Sequence, residues 1–125
     1  MKTAHAIRRA GFTLVEIMIV VAIIGLLAAI AIPNFVRARS QSQAIACINN
    51  MRQIDSAIQQ ISMEKGLAAG DTVNSDDLTS YIKLNSAGSV PGCPAGGNYA
   101  IQPVGSIPSI TCSLGNNVKP AHLLP

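Results

Sequence analysis

Tryptophan is absent from this chain of 125 residues, and two Phe and two Tyr are its only aromatic rings. A platform that stacks bases needs more of them. Charge is also sparse, at 12% Asp, Glu, Lys and Arg. The formal excess of +3 comes from Lys2, Arg8 and Arg9. From residue 12 onward Arg37, Arg39, Arg52, Lys65, Lys83 and Lys119 are balanced by Glu16, Asp55, Glu64, Asp71, Asp76 and Asp77. Without a basic stripe to track a phosphate backbone, nucleic-acid binding is not expected.

The parts of a catalytic site are missing as well. Ser and Thr are common, but no His is placed to activate one. "PAGGNYA" has two glycines and no Lys, and it does not lead from a strand into a helix, so it reads as a turn rather than a phosphate loop. His5 lies in the first residues and His122 in the last; neither has Cys or His neighbours at zinc-like spacing, so both read as incidental. The expectation is no enzyme activity, no catalytic residue, no cofactor and no metal site. "DTVNSDD" gathers Asp71, Asn74, Asp76 and Asp77, and calcium is a minor alternative there. The segment lacks the ligand spacing of a dedicated loop, and helix capping and solvation account for it.

Three cysteines allow three single pairings with one thiol left over. In an oxidising exterior Cys93 with Cys112 is the first choice, because that bridge would brace a loop and a hairpin. A staple through Cys47 and an unpaired set of thiols stay open, and a buried free thiol is the plain reading for Cys47.

What the chain has in quantity is one apolar run. Residues 12–32 contain fourteen large apolar side chains. As a helix rising ~1.5 Å per residue they reach about 31 Å, the thickness of a hydrocarbon core. At roughly −0.3 to −0.6 kcal/mol each, these side chains favour insertion by about 4–8 kcal/mol. Glu16 offsets part of that, costing about 2.5–3.5 kcal/mol at mid-membrane and less near an end. Lys2, Arg8 and Arg9 favour a cytoplasmic N-terminus, with Arg37 and Arg39 on the far flank weakening the bias. A cleaved secretory signal, cut after Ala29-Ile30-Ala31, fits less well: the run exceeds the usual ~7–15 residues and would contain an acid. On the residues alone Glu16 could equally sit at the headgroup level beside Arg8 and Arg9.

Gly25 and Pro33 are the poor helix formers of this region, and a kink is expected between them. Beyond them Ala44, Cys47, Met51, Ile54, Ile58 and Ile61 recur at helical spacing, while Asn49, Asn50, Gln53, Gln59 and Gln60 fall mostly elsewhere. Lys65 before Gly66 gives a stop, so one kinked helix is expected from about residue 12 to 65. After Gly66 about 60 residues remain, near the lower limit for a self-sustaining core, so this part is expected to lean on a further support. Ser75 with Asp76 and Asp77 predicts an N-cap and a short helix to about Lys83. Residues 98–102 and 108–112 predict two strands, with Tyr99 and Ile101 on one face and Ile110 and Cys112 on the other strand's corresponding face, both covering the 44–61 stripe. Residues 115–125 read as an irregular tail.

"GFTLVEIMIVVAIIGLLAAIAIPNF" resembles the N-terminal signature of type IV pilins and of the pseudopilins of type II secretion: a short basic leader, Gly before Phe, an acid at the fifth place after the cut, then an apolar helix. "CINNMRQIDSAIQQ" and "CPAGGNYAI" with "TCS" are similar to short pilin-like chains. The resemblance implies an α+β fold with a long N-terminal helix and a small head. It divides the chain into a leader (1–11), a transmembrane or filament-core helix (12–33), an amphipathic helix (34–65) and the head (66–125). It implies cleavage by prepilin peptidase between Gly11 and Phe12, N-methylation of Phe12, and pairing of Glu16 with the N-terminal amine of a neighbouring subunit. The implied partners are copies of the chain, related pilins and an inner-membrane assembly platform. The implied location is the inner membrane with the head in the periplasm, then a filament. The alternatives weighed are a secreted or membrane-tethered binding domain and a DNA-uptake pilin.

Overall fold

The computed structural model describes residues 11–125; Lys2, His5, Arg8 and Arg9 lie outside them. The element order is α1 (Leu14–Lys65), α2 (Ser75–Leu78), β1 (Tyr99–Ile101) and β2 (Ile110–Cys112). The chain divides into two compact units, one ending at Val36 and one spanning Arg37–Pro125.

Helix α1 starts two residues later than expected and ends where Lys65 and Gly66 predict. Gly66 has φ +62°, the left-handed conformation that closes a helix and suits a residue without Cβ. Gly25 and Pro33 both lie inside the unbroken helix. Pro33 has no N–H to give, so one rung of the hydrogen-bond ladder is missing there.

In the second unit the amphipathic stripe is the core. Ala44, Cys47, Met51, Ile54, Ala57, Ile58 and Ile61 are the buried residues of α1. Val73, Leu78, Ile82, Cys93, Ile110 and Cys112 pack against them, with Tyr99, Ile101, Leu114 and Leu124 at the margin. The strands pair antiparallel with Tyr99 opposite Cys112 and Ile101 opposite Ile110. Both are shorter than predicted, yet the predicted faces hold: Ile110 and Cys112 are buried and Thr111 between them is not. Ser109 anchors the second strand by donating its hydroxyl proton to Asp55 of α1.

The short helix departs from expectation in two ways. Its N-cap is Asn74, in extended conformation, and Ser75 is already helical. It stops at Leu78 rather than near Lys83, because Thr79 turns its hydroxyl back onto the carbonyl of Asp76 and the chain continues as turns. Two acids of the calcium alternative have other partners: Asp71 accepts the Ala68 N–H at 2.8 Å, and Asp77 pairs with Lys65 at 2.7 Å.

Candidate functional site

Two features carry chemistry, one in each unit. The first is the apolar half of α1. Among the described residues nothing covers it: the most apolar 18-residue window has a mean hydropathy of 2.9 and no buried share. Leu14, Val15, Ile17, Met18, Val20, Val21, Ile23 and Ile24 are all more than half exposed, so apolar groups ring the helix rather than forming a stripe. A helix apolar all round is stable only when something else surrounds it, a need that lipid or other helices can meet.

Glu16 sits at the start of this segment and is already hydrogen-bonded within the chain. Its carboxylate accepts the backbone N–H of Thr13 at 2.8 Å and the Thr13 hydroxyl at 2.9 Å. The Glu16 N–H in turn donates to the Thr13 hydroxyl oxygen at 3.2 Å. With α1 beginning at Leu14, Thr13 is the N-cap and Glu16 the third helical residue, which makes this a reciprocal capping box. Sequence reading missed that role, although Thr-x-x-Glu ahead of an apolar run was a legible signal. Gly11 and Phe12 precede the cap outside any helix, and Phe12 is 86% exposed.

The second feature was not expected. Cys47, Cys93, Cys112 and His122 converge, with their sulfur and ring-nitrogen atoms all within 4.8 Å of one another. Each belongs to a different segment, and each is held there by local structure. Cys47 occupies the buried stripe of α1, where the Tyr99 hydroxyl lies 3.3 Å from its carbonyl oxygen and 3.4 Å from its Sγ. Cys93 opens the turn 93–97, closed by the Gly96 N–H on the Cys93 carbonyl at 3.0 Å with Gly96 at φ +86°. Asn50 of α1 fixes that loop by donating to the Gly92 carbonyl at 3.0 Å. Cys112 comes from β2, and Gly97 lets it approach: a Cβ on Gly97 would lie 2.8 Å from the Cys112 Sγ. The tail then turns at Gly115, whose carbonyl accepts the His122 N–H at 2.8 Å, and this carries the imidazole inward until Nδ1 lies 3.3 Å from the Cys93 Sγ.

Two expectations change here and one, the irregular tail, gains a role. His122 is not incidental but 3% exposed and in contact with a thiol. The tail has no regular element, yet it delivers that ring and packs Leu124 on the core. The expected Cys93–Cys112 bridge is not formed; all three thiols are free. The two sulfurs do approach, but Cys47 and His122 share the same space, so no single pair is isolated from the others.

The microenvironments differ sharply. Burial pushes the Cys47 thiol up to about 12. Burial acts in the same sense on Cys93, but the nearby N–H groups of Ala95 and Gly97 together with the Cys47 and Cys112 thiols outweigh it and leave that thiol below its ordinary value. Burial, with Cys47 alongside, raises the Tyr99 phenol.

Comparison with known proteins bears on the first feature. Residues 7–32 match the family described as the prokaryotic N-terminal methylation motif. The type IV major pilin protein PilA of Myxococcus xanthus is 48% identical over 58 residues, 46% of this chain and 26% of that protein. The N-terminal half of this chain is thus similar to a type IV pilin. Fimbrial protein Q of Moraxella bovis is 42% identical over 74 residues, 55% of this chain and 47% of its own length. Fimbrial protein EcpC of Eikenella corrodens is 36% identical over 86 residues, 62% of this chain and 56% of that protein. The chain thus spans between about a quarter and just over half of these relatives. No solved structure matches it. The pilin-type helix of the chain therefore rests on sequence and on its uncovered apolar surface together, whereas the cluster around Cys93 rests on geometry.

Proposed function

We propose that the chain is a structural subunit of a type IV pilus-like filament, held in a membrane by the first half of α1 until it assembles. The observation that carries this reading is the uncovered apolar ring from Leu14 to Ile32, at the N-terminal side of which stand the processing pair Gly11 and Phe12. In lipid the ring is satisfied by acyl chains; in a filament it is satisfied by the same ring on other subunits, so transfer from one to the other exchanges comparable surroundings. Prepilin peptidase would cut after Gly11 and free the amine of Phe12 two residues ahead of the start of α1 at Leu14. An inner-membrane platform would then supply the work of extraction. The names of the relatives, pilins and fimbrial proteins, favour a pilus over a secretion pseudopilus, and the neutral charge balance beyond residue 12 disfavours a DNA-uptake role.

Glu16 has two roles to separate. As the far half of a capping box it starts the helix by accepting the otherwise unpaired N–H of Thr13. As a carboxylate in an apolar setting it would also attract the Phe12 ammonium of a neighbouring subunit. Glu16→Gln keeps an oxygen for the Thr13 N–H and removes the charge. The variant is expected to insert, be processed and retain helix content while filament yield on electron micrographs falls at least severalfold. Normal filament yield from Glu16→Gln would assign Glu16 to capping alone. The filament reading itself is tested by intact mass: it requires a mature chain beginning at methylated Phe12, and a chain cut after Ala31 or left uncut would sink it.

A further inference from the structure

We propose that Cys47, Cys93, Cys112 and His122 form a closed Cys3His site for one structural zinc ion. A tetrahedral zinc with bonds of about 2.3 Å to sulfur and 2.0–2.1 Å to nitrogen places its ligand atoms about 3.8 Å apart for two sulfurs and about 3.6 Å for sulfur and nitrogen. The observed Sγ to Nδ1 distance of 3.3 Å and the 4.8 Å limit on all pairs bracket those values, so side-chain adjustments of about an ångström or less seat the ion.

The chemistry of the donors selects the metal. Three soft thiolates with one imidazole at tetrahedral spacing suit zinc, whereas calcium and magnesium take hard oxygen ligands. All four residues are buried, at 0%, 8%, 6% and 3% exposure in chain order, so no position is left for water or substrate, and the site is structural rather than catalytic. Binding releases three thiol protons to solvent and leaves a net charge of −1 on the ion and its ligands. A donor already stands beside that charge: the Tyr99 hydroxyl lies 3.4 Å from the Cys47 sulfur. Such outer partners orient the ligands of a metal and steady their charge.

A disulfide is the competing use of the same atoms. Any one bridge would join two of the segments and leave the third thiol and a buried imidazole without a role. Zinc joins all four: α1, the turn after Cys93, β2 and the C-terminal tail. It supplies the support that about 60 residues beyond α1 need, in the manner of other small domains that fold around a metal. The inference stands independently of the filament reading.

The test uses the full chain extracted in mild detergent, reduced, stripped with a chelator and titrated with Zn²⁺. The expected result is one zinc per chain, with all three thiols protected from alkylation until chelator is added. Co²⁺ in place of zinc is expected to give the visible ligand-field bands of a tetrahedral ion and near-ultraviolet thiolate charge-transfer absorption. Removing an outer partner of a metal ligand costs about 10–100-fold in affinity. His122→Ala, which removes a ligand, is therefore expected to weaken zinc binding by more than about 100-fold. The proposal is overturned if wild-type protein takes up no stoichiometric zinc, if its intact mass as isolated shows two hydrogens lost to a disulfide and no metal, or if His122→Ala binds zinc like the wild type.

Discussion

The two halves of α1 are made of the same kind of residue and solve opposite problems. From Leu14 to Val36 large apolar side chains point in every direction and remain exposed; from Ala44 to Ile61 they return every three or four residues and are buried. The second half finds its cover inside the chain, in Leu78, Ile110 and their neighbours. The first finds none among the described residues. Helical propensity is therefore not what distinguishes them. The distinction is whether the apolar surface exceeds what a chain of this length can cover, and what remains uncovered is the part that the proposed function assigns to lipid and to other subunits.

Substitutions can break that contrast. Met51 is fully buried, and Met51→Ala is expected to destabilise the second unit by about 2–5 kcal/mol, read as a lower urea midpoint in detergent with membrane insertion unchanged. Val21 is 59% exposed, and a charge there meets the bilayer rather than a core. Val21→Asp is expected to weaken insertion by about 2.5–3.5 kcal/mol, seen as protein released by alkaline washing of membranes, with the urea midpoint of the second unit unmoved. If either substitution moved both readouts, the two halves would not be energetically separate. The smallest effect belongs to the Lys65–Asp77 pair, whose side chains are 45% and 30% exposed. Lys65→Ala is expected to cost about 0.2–1 kcal/mol, and the loss should fade in high salt.

Much of this was legible before any coordinates. The membrane-length run, the 44–61 stripe, the stop at Lys65 and the hairpin faces all follow from periodicity, and periodicity reports which side of an element is apolar. Element ends were less legible, since Thr79 ends α2 through a side-chain hydrogen bond that competes with the helix. The capping box was present as Thr13 and Glu16 but was overshadowed by the acid's position in the apolar run. The cluster of Cys47, Cys93, Cys112 and His122 was beyond sequence reading. Local zinc motifs place ligands a few residues apart, while these four are separated by 46, 19 and 10 positions.

Sequence alone settled that the apolar helix running from Leu14 through Ile32 needs cover beyond itself, because a continuous apolar run has no polar side to offer water whatever the rest of the molecule does. Tertiary structure alone decided what the cysteines and His122 face. Their meeting depends on strand register at Cys112, on the space left by Gly97 and on the turn at Gly115, and none of these distances is encoded in the neighbourhood of any one ligand.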